Sequence, residues 1–332
     1  MAEEIIKNIF RIIIPLPNNP LKSLKSYFIK SDTGRNLLID TGFNRPECLE
    51  AIEEGLADAG AVMEDTDLFI THLHSDHCGL IAYLRDRGSR VYAGKTDGDL
   101  INYETGEEYW EKLDDLFVHY GFPRAKFGRN TDIHPGRKYN NEEIIDFTYV
   151  SEDDVIEAGG YSFRPILTPG HTPGHMCLYD ADRRVLISGD HILGDITPNI
   201  CIELTMENPL ELYLQSLDKV AALDVDTILT AHRRPVPSMT DRIEELRAHH
   251  DRRLSEVLDN LGEDWTTAYS MAQLMTWKIR CKSWEDFPEP QKWFATGEAV
   301  AHLQYLTGRG LAESREIDNV VMYRKKGCTV KC

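Results

Sequence analysis

Seven consecutive residues, Thr71-His72-Leu73-His74-Ser75-Asp76-His77, restrict what this chain can become more than any other feature in it. Three imidazoles and a carboxylate fall within six positions, directly after the apolar run Asp67 to Thr71, which reads as a β-strand. Imidazole nitrogen and carboxylate oxygen are ligands that zinc accepts at about 2.0–2.2 Å. Residues two apart on a strand face the same side. If the strand continues, His72 and His74 therefore converge on one ion, and Asp76 and His77, past its end, turn toward a second. With 12 histidines in 332 residues, such a concentration is not a scatter of surface side chains.

Three later loops repeat the arrangement of an apolar strand followed by a ligand-type residue. Thr168-Pro169-Gly170-His171-Thr172-Pro173-Gly174-His175 follows the strand 162–167, and its Pro and Gly residues punctuate a tight loop. His171 is expected to complete the first ion's set, with His175 structural. Ser188-Gly189-Asp190-His191 ends the strand 185–189. Asp190 can bridge two cations or cap a helix, and His191 can donate a proton or merely pack, the second being favoured. Thr230-Ala231-His232 ends the strand 227–231. Cys78 is expected to be a small buried side chain.

Around these loops the chain alternates strands and helices, which implies α/β layers. Strands are expected at 9–16, 26–31, 36–40, 90–93 and 144–149, and helices at 46–59, 79–86 and 208–223, the last opened by Asn208-Pro209. Residues 100–145 break the rhythm and read as an insertion able to cover a site, or as a solvated helical hairpin. Helices at 238–261, 266–277 and 296–307, the last capped by Thr296, precede a hairpin around Asp318-Asn319. That order outlines a winged helix. The expected division is a catalytic domain over 1–237 and a C-terminal module over 238–332.

The formal net charge of −18 disfavours phosphate backbones as partners, although residues 266–332 carry ten Lys and Arg against seven Asp and Glu. The segment 296–307 contains Glu298, His302 and Gln304 but no Lys or Arg, which argues against DNA reading. Seven scattered cysteines and a start without a basic, then apolar, leader point to reduced thiols and the cytoplasm. No apolar run reaches the ~20 residues that span a bilayer.

In order and type, the four ligand loops resemble the metallo-β-lactamase superfamily over residues 9–235. The resemblance implies an αββα sandwich with His72, His74 and His171 on a first metal, Asp76, His77 and His232 on a second, and Asp190 bridging. It makes Asp40 the buried aspartate that orients a ligand histidine. Flavodiiron relatives carry an acidic residue where His74 stands, so His74 favours hydrolysis. The loop 168–175 is similar to that of hydroxyacylglutathione hydrolases, and the winged-helix outline resembles the lactamase-beta-2-like branch. Lys325 and Lys326 are candidates for the basic residues that the glutathione enzymes carry, Arg233 departs from the Gly-His-Gly of many relatives, and Asn199 is a candidate pocket contact. The implied activity is metal-dependent hydrolysis of a small-molecule thioester, ester or lactone. Asp76 would handle the proton, the metals would be two divalent ions (zinc, with iron or manganese as alternatives), and a homodimer is expected. The alternatives are an endoribonuclease acting on single-stranded RNA and a mononuclear iron sulfur dioxygenase retaining His72, His74 and Asp190.

Overall fold

The computed structural model describes residues 1–85, 88–126, 134–279 and 281–327; Cys328 and Cys332 lie outside them. Seven strands form one sheet in chain order: β1 (Ala2–Ile6), β2 (Ile9–Pro15), β3 (Ser23–Ile29), β4 (Asn36–Ile39), β5 (Thr66–Ile70), β6 (Val91–Gly94) and β7 (Thr148–Val150). Short turns keep β1 to β4 antiparallel. From β4 onward the pairs are parallel, because helices make the crossovers. These helices are α1 (Pro46–Asp58), α2 (Ser75–Cys78), α3 (Ile81–Arg85), α4 (Lys95–Tyr103), α5 (Glu107–His119) and α6 (Pro135–Tyr139). A second sheet, ordered β12-β11-β10-β9-β8, comprises β8 (Ile156–Ala158), β9 (Tyr161–Leu167), β10 (Met176–Asp180), β11 (Val185–Gly189) and β12 (Thr227–Thr230). Only β11 and β12 pair in parallel, joined through α7 (Pro209–Ala221).

Side-chain alternation shows how the layers stack. Leu37, Ile39 and Phe69 share one core with Phe163, Leu178, Val185, Ile187 and Leu229, so these residues fill the space between the sheets. Their neighbours Leu38, Leu68 and Ile70 point to the opposite face of the first sheet, where Ile52 and Leu56 of α1 pack. Leu186 and Ile228 point outward from the second sheet, toward Leu210, Leu217 and Val220 of α7. Sheets covered on both faces read as continuous apolar runs, which is why β5 and β11 stand out in the sequence. The result is an αββα sandwich. Four strands escape the sequence reading. β1 is a polar edge, β8 and the later two-residue strand Thr266–Thr267 are very short, and β10 is wholly buried but short enough to be lost behind His175.

The C-terminal part runs α8 (Met239–Asn260), β13 (Thr266–Thr267), α9 (Ala268–Leu274), α10 (Glu289–Gly308), β14 (Ala312–Ile317) and β15 (Val320–Lys325). Ser238 and Thr267 cap α8 and α9 by accepting from Asp241 N–H and Ser270 N–H. The hairpin turns at Asp318 and Asn319, both with positive φ, as a two-residue loop requires. One boundary differs from expectation. α10 starts at Glu289, and Thr296 is no cap: it is buried mid-helix, its hydroxyl donating back to Lys292 O. Within the segment 100–145, α5 is not solvated. Tyr109, Trp110, Leu113 and Phe117 are buried in one core with Ala295, Ala299 and Leu303 of α10, and Phe117 stacks on Trp293 at 4.0 Å. No helix among the described residues is long and apolar enough to cross a membrane.

Candidate metal centre

The ends of β4, β5, β11 and β12 and the turn between β9 and β10 deliver every residue of the site. β5 stops at Ile70, so His72 and His74 do not continue the strand. His74 instead opens α2 with an extended backbone, and Asp76 and His77 lie in the helical turn. The four donors converge because the chain bends between Thr71 and Ser75. Gly189 (φ +48) lets β11 turn into Asp190, and a Cβ there would meet His175 Nε2 at 2.8 Å.

Three groups of donor atoms result, each within 4.8 Å: His72, His74 and His171; Asp76, His77 and His232; and His72, His77 and Asp190. His72 Nε2 stands 3.1 Å from His74 Nδ1, and His77 Nε2 stands 3.3 Å from His232 Nε2. Asp76 Oδ2 is 3.3 Å from His232 Nε2. Asp190 faces both main sets: Oδ1 is 3.6 Å from His77 Nε2 and 3.5 Å from His232 Nε2, and Oδ2 is 3.7 Å from His171 Nε2.

These residues fit cations better than they fit one another. His171 Nε2 and Asp190 Oδ1 are buried with no hydrogen-bond partner among the described residues, which is costly unless something else satisfies them. Asp40, Asp76 and Asp190 are 2%, 9% and 6% exposed. Among the described residues their ion-pair partners are histidines alone. Buried charge of one sign calls for a counter-charge. Burial, reinforced by neighbouring imidazoles, holds His72 and His74 far below the usual histidine range, and burial also lowers His171; all three are neutral and ready to ligate. Burial works the same way on His77, but Asp40, Asp190 and Asp76 outweigh it and lift the group to about 9. His232 is raised too, with burial again outweighed, here by Asp190 and Asp76.

Neighbouring contacts fix the angle of each ring. Asp40 (φ +63) accepts from Thr71 N–H at 2.9 Å and from His77 Nδ1–H at 2.8 Å. His171 Nδ1–H donates to Asn199 O at 2.8 Å, and His232 Nδ1–H donates to Ser23 O at 2.9 Å. Asn199 thus meets the site through its backbone carbonyl. His175 stays behind the centre, its Nε2 accepting from Asp190 N–H at 3.2 Å. His191 is buried beside the Tyr213 ring, outside the three donor groups, and burial pushes it down to about 3. Cys78 is fully buried, and Lys325, on the C-terminal hairpin, donates to Leu258 O of α8. Asp97 has no signal in the sequence. It is 1% exposed and accepts from Leu73 N–H (3.0 Å), Thr172 Oγ1–H (2.5 Å) and Gly174 N–H (2.5 Å), tying the first histidine loop to the second.

A profile of the Metallo-beta-lactamase superfamily matches residues 24–232, the span that holds all seven ligand-type residues. The chain belongs to the metallo-beta-lactamase superfamily. Among solved structures, a metallo-beta-lactamase family protein from Thermus thermophilus superposes with a TM-score of 0.82 at 27% identity, covering 97% of this chain and 99% of the other. A beta-lactamase domain protein from Burkholderia ambifaria gives 0.81 at 25% identity, over 98% and 94%. Both matches extend through the C-terminal elements. In sequence, the "Probable metallo-hydrolase YqjP" of Bacillus subtilis is 23% identical over 90% of this chain and 92% of its own. The "Beta-lactamase-like protein 2 homolog" of Caenorhabditis elegans is 27% identical over 75% and 70%. The superfamily fold and its His/Asp donor sets make the chain a metal-dependent hydrolase.

Proposed function

We propose that the chain holds two divalent cations, with zinc the default, and hydrolyses a thioester, ester or lactone of a small molecule. The observation that carries this reading is Asp190, whose two carboxylate oxygens face both donor sets at 3.5–3.7 Å. Divalent cations held there would supply Lewis acidity, making a nucleophile of water at neutral pH and drawing charge from a carbonyl oxygen. His72, His74 and His171 would hold one cation, and Asp76, His77 and His232 the other. Iron or manganese also suits ligands that include no thiolate.

The chain's own groups supply the rest of the chemistry. Asp76 is the most exposed of the three carboxylates, at 9%. Its pKa is lowered because His77 and His232 outweigh burial, so it is ionised across the neutral range. It can accept the proton of the attacking water and return it to the leaving group. Asp40 and the carbonyls of Asn199 and Ser23 keep three imidazoles in the tautomer that frees Nε2. A thiolate leaves more readily than an amine and needs least help, which puts thioesters first.

Thiol release from a panel of acyl-coenzyme A and acyl-glutathione thioesters, with zinc-loaded protein, tests this reading. Metal-dependent release that His74→Ala abolishes is the expected result. No release above that variant, from protein shown to hold its metals, removes the thioester reading.

A further inference from the structure

The residue after ligand His232 is in an unfavourable conformation. Arg233 has φ +58, a left-handed backbone that glycine adopts freely and a bulky side chain does not. Strain of this kind clusters where function requires the side chain. The guanidinium is also short of partners. Its Nη2 donates to Pro20 O at 2.6 Å, while Nε is buried and has no hydrogen-bond partner among the described residues. Among the described residues no carboxylate lies within ion-pair distance of it, although acidic residues outnumber basic ones 55 to 37. Its neighbour Arg234 reaches Asp195 at 3.9 Å.

The location gives this cation a use. Pro20 lies on the turn between β2 and β3, three residues before Ser23, whose carbonyl supports the His232 ring. Under the same loop, Lys25 Nζ donates to His232 O at 3.2 Å and Thr230 Oγ1 at 3.3 Å. Lys25 is thus fixed beneath the His232 backbone, whereas among the described residues the Arg233 guanidinium is held by one turn carbonyl. Arginine is the side chain that matches planar and tetrahedral oxyanions through paired N–H donors.

We propose that Arg233 anchors a second, anionic group of the substrate, a carboxylate or phosphate lying on the His232 side of the metal centre. The substrate is then an acid-bearing ester or thioester, with the scissile carbonyl at the metals and the oxyanion at Arg233. This rests on the hydrolase reading for its reaction but not for its binding step.

The test compares zinc-loaded wild type with Arg233→Gly and Arg233→Lys, and with Arg234→Ala as control. Glutaryl and pentanoyl thioesters of N-acetylcysteamine have the same chain length and differ by one carboxylate. Wild type should prefer the glutaryl ester in kcat/KM, and Arg233→Gly should cut that preference about tenfold, as expected for losing a hydrogen bond to a charged group. Arg233→Lys should keep part of it, and Arg234→Ala all of it. Because glycine relieves the strain, Tm of Arg233→Gly should rise by about 2 °C. A preference unchanged in Arg233→Gly overturns the proposal. So does a fall in Tm with equal losses on both esters, which would make Arg233 a prop for the turn. Calorimetric binding of glutarate against pentanoate provides the arm that needs no turnover. If no thioester is cleaved but glutarate still binds more tightly through Arg233, the thioester reading fails and the anion site stands. If the glutarate preference survives Arg233→Gly, the anion site fails. Replacing glutarate by 4-phosphonobutyrate, which keeps the three-methylene spacer, then tells a phosphate site from a carboxylate site by which binds tighter.

Discussion

Replacing Asp40 by asparagine separates the support of a ligand from the ligand itself. Asn tolerates the left-handed backbone at this position, so the fold of the turn should survive. What is lost is a charge placed 2.8 Å from His77 Nδ1 and 2.9 Å from Thr71 N–H. Loss of such support weakens metal binding about 10- to 100-fold, equivalent to roughly 1.4–2.7 kcal/mol. The effect should depend on pH, and the sign follows from His77. Without metal, its three carboxylate neighbours hold His77 at about 9, so a cation binding at pH 7 must displace a proton. That displacement costs about 3 kcal/mol at pH 7 and little above pH 9. In Asp40→Asn the histidine titrates lower, and this cost is already smaller at pH 7. The wild-type advantage in zinc affinity should therefore widen between pH 7 and pH 9. Chelator competition at each pH measures it. A ratio that stays flat, or an affinity equal to wild type throughout, would refute the role given to Asp40.

Asp97→Ala should loosen the first metal's set without touching a ligand, because it leaves Leu73 N–H and Gly174 N–H buried without an acceptor; zinc titration should show at least about tenfold weaker binding at one site. Gly170→Ala places a Cβ 2.5 Å from the Tyr213 backbone at φ +134, and urea unfolding should show a loss of about 2 kcal/mol or more. Phe117→Ala removes a fully buried ring that stacks on Trp293 of α10, and should cost about 3–5 kcal/mol in the same assay. Glu203 is lifted to about 7, by burial first; the raised value means its protonated form favours folding, so its contribution is full below pH 4.5 and gone above about pH 7. Glu203→Gln should flatten the pH dependence of stability across that window, a change of about 1–3 kcal/mol readable from urea midpoints.

The metal donors are legible because their chemistry is rare and local: three histidines in six positions, and an Asp and a His each just past an apolar run. What supports them is not. Asn199 and Ser23 act through carbonyls that every residue owns, so no side-chain pattern marks them. Asp97 looks like any polar residue at the start of a helix until the fold brings Leu73, Thr172 and Gly174 to it from two loops. His72 and His74 do form a pair, but for a reason the structure replaces. The pair forms where the chain leaves β5, not along it. The start of α10 is hidden because Thr296 resembles a cap, whereas its hydroxyl is used inside the helix. The strain at Arg233 is likewise a property of the backbone, which no side-chain pattern in the sequence marks.

The central claim is that two cations are held by two donor sets sharing Asp190. Zinc titration of metal-free protein by calorimetry tests it most directly, with His232→Ala alongside. Two equivalents per wild-type chain and one in the variant, with the remaining site near its original affinity, is the result this account requires. A single equivalent in wild type, or two in the variant, would contradict it.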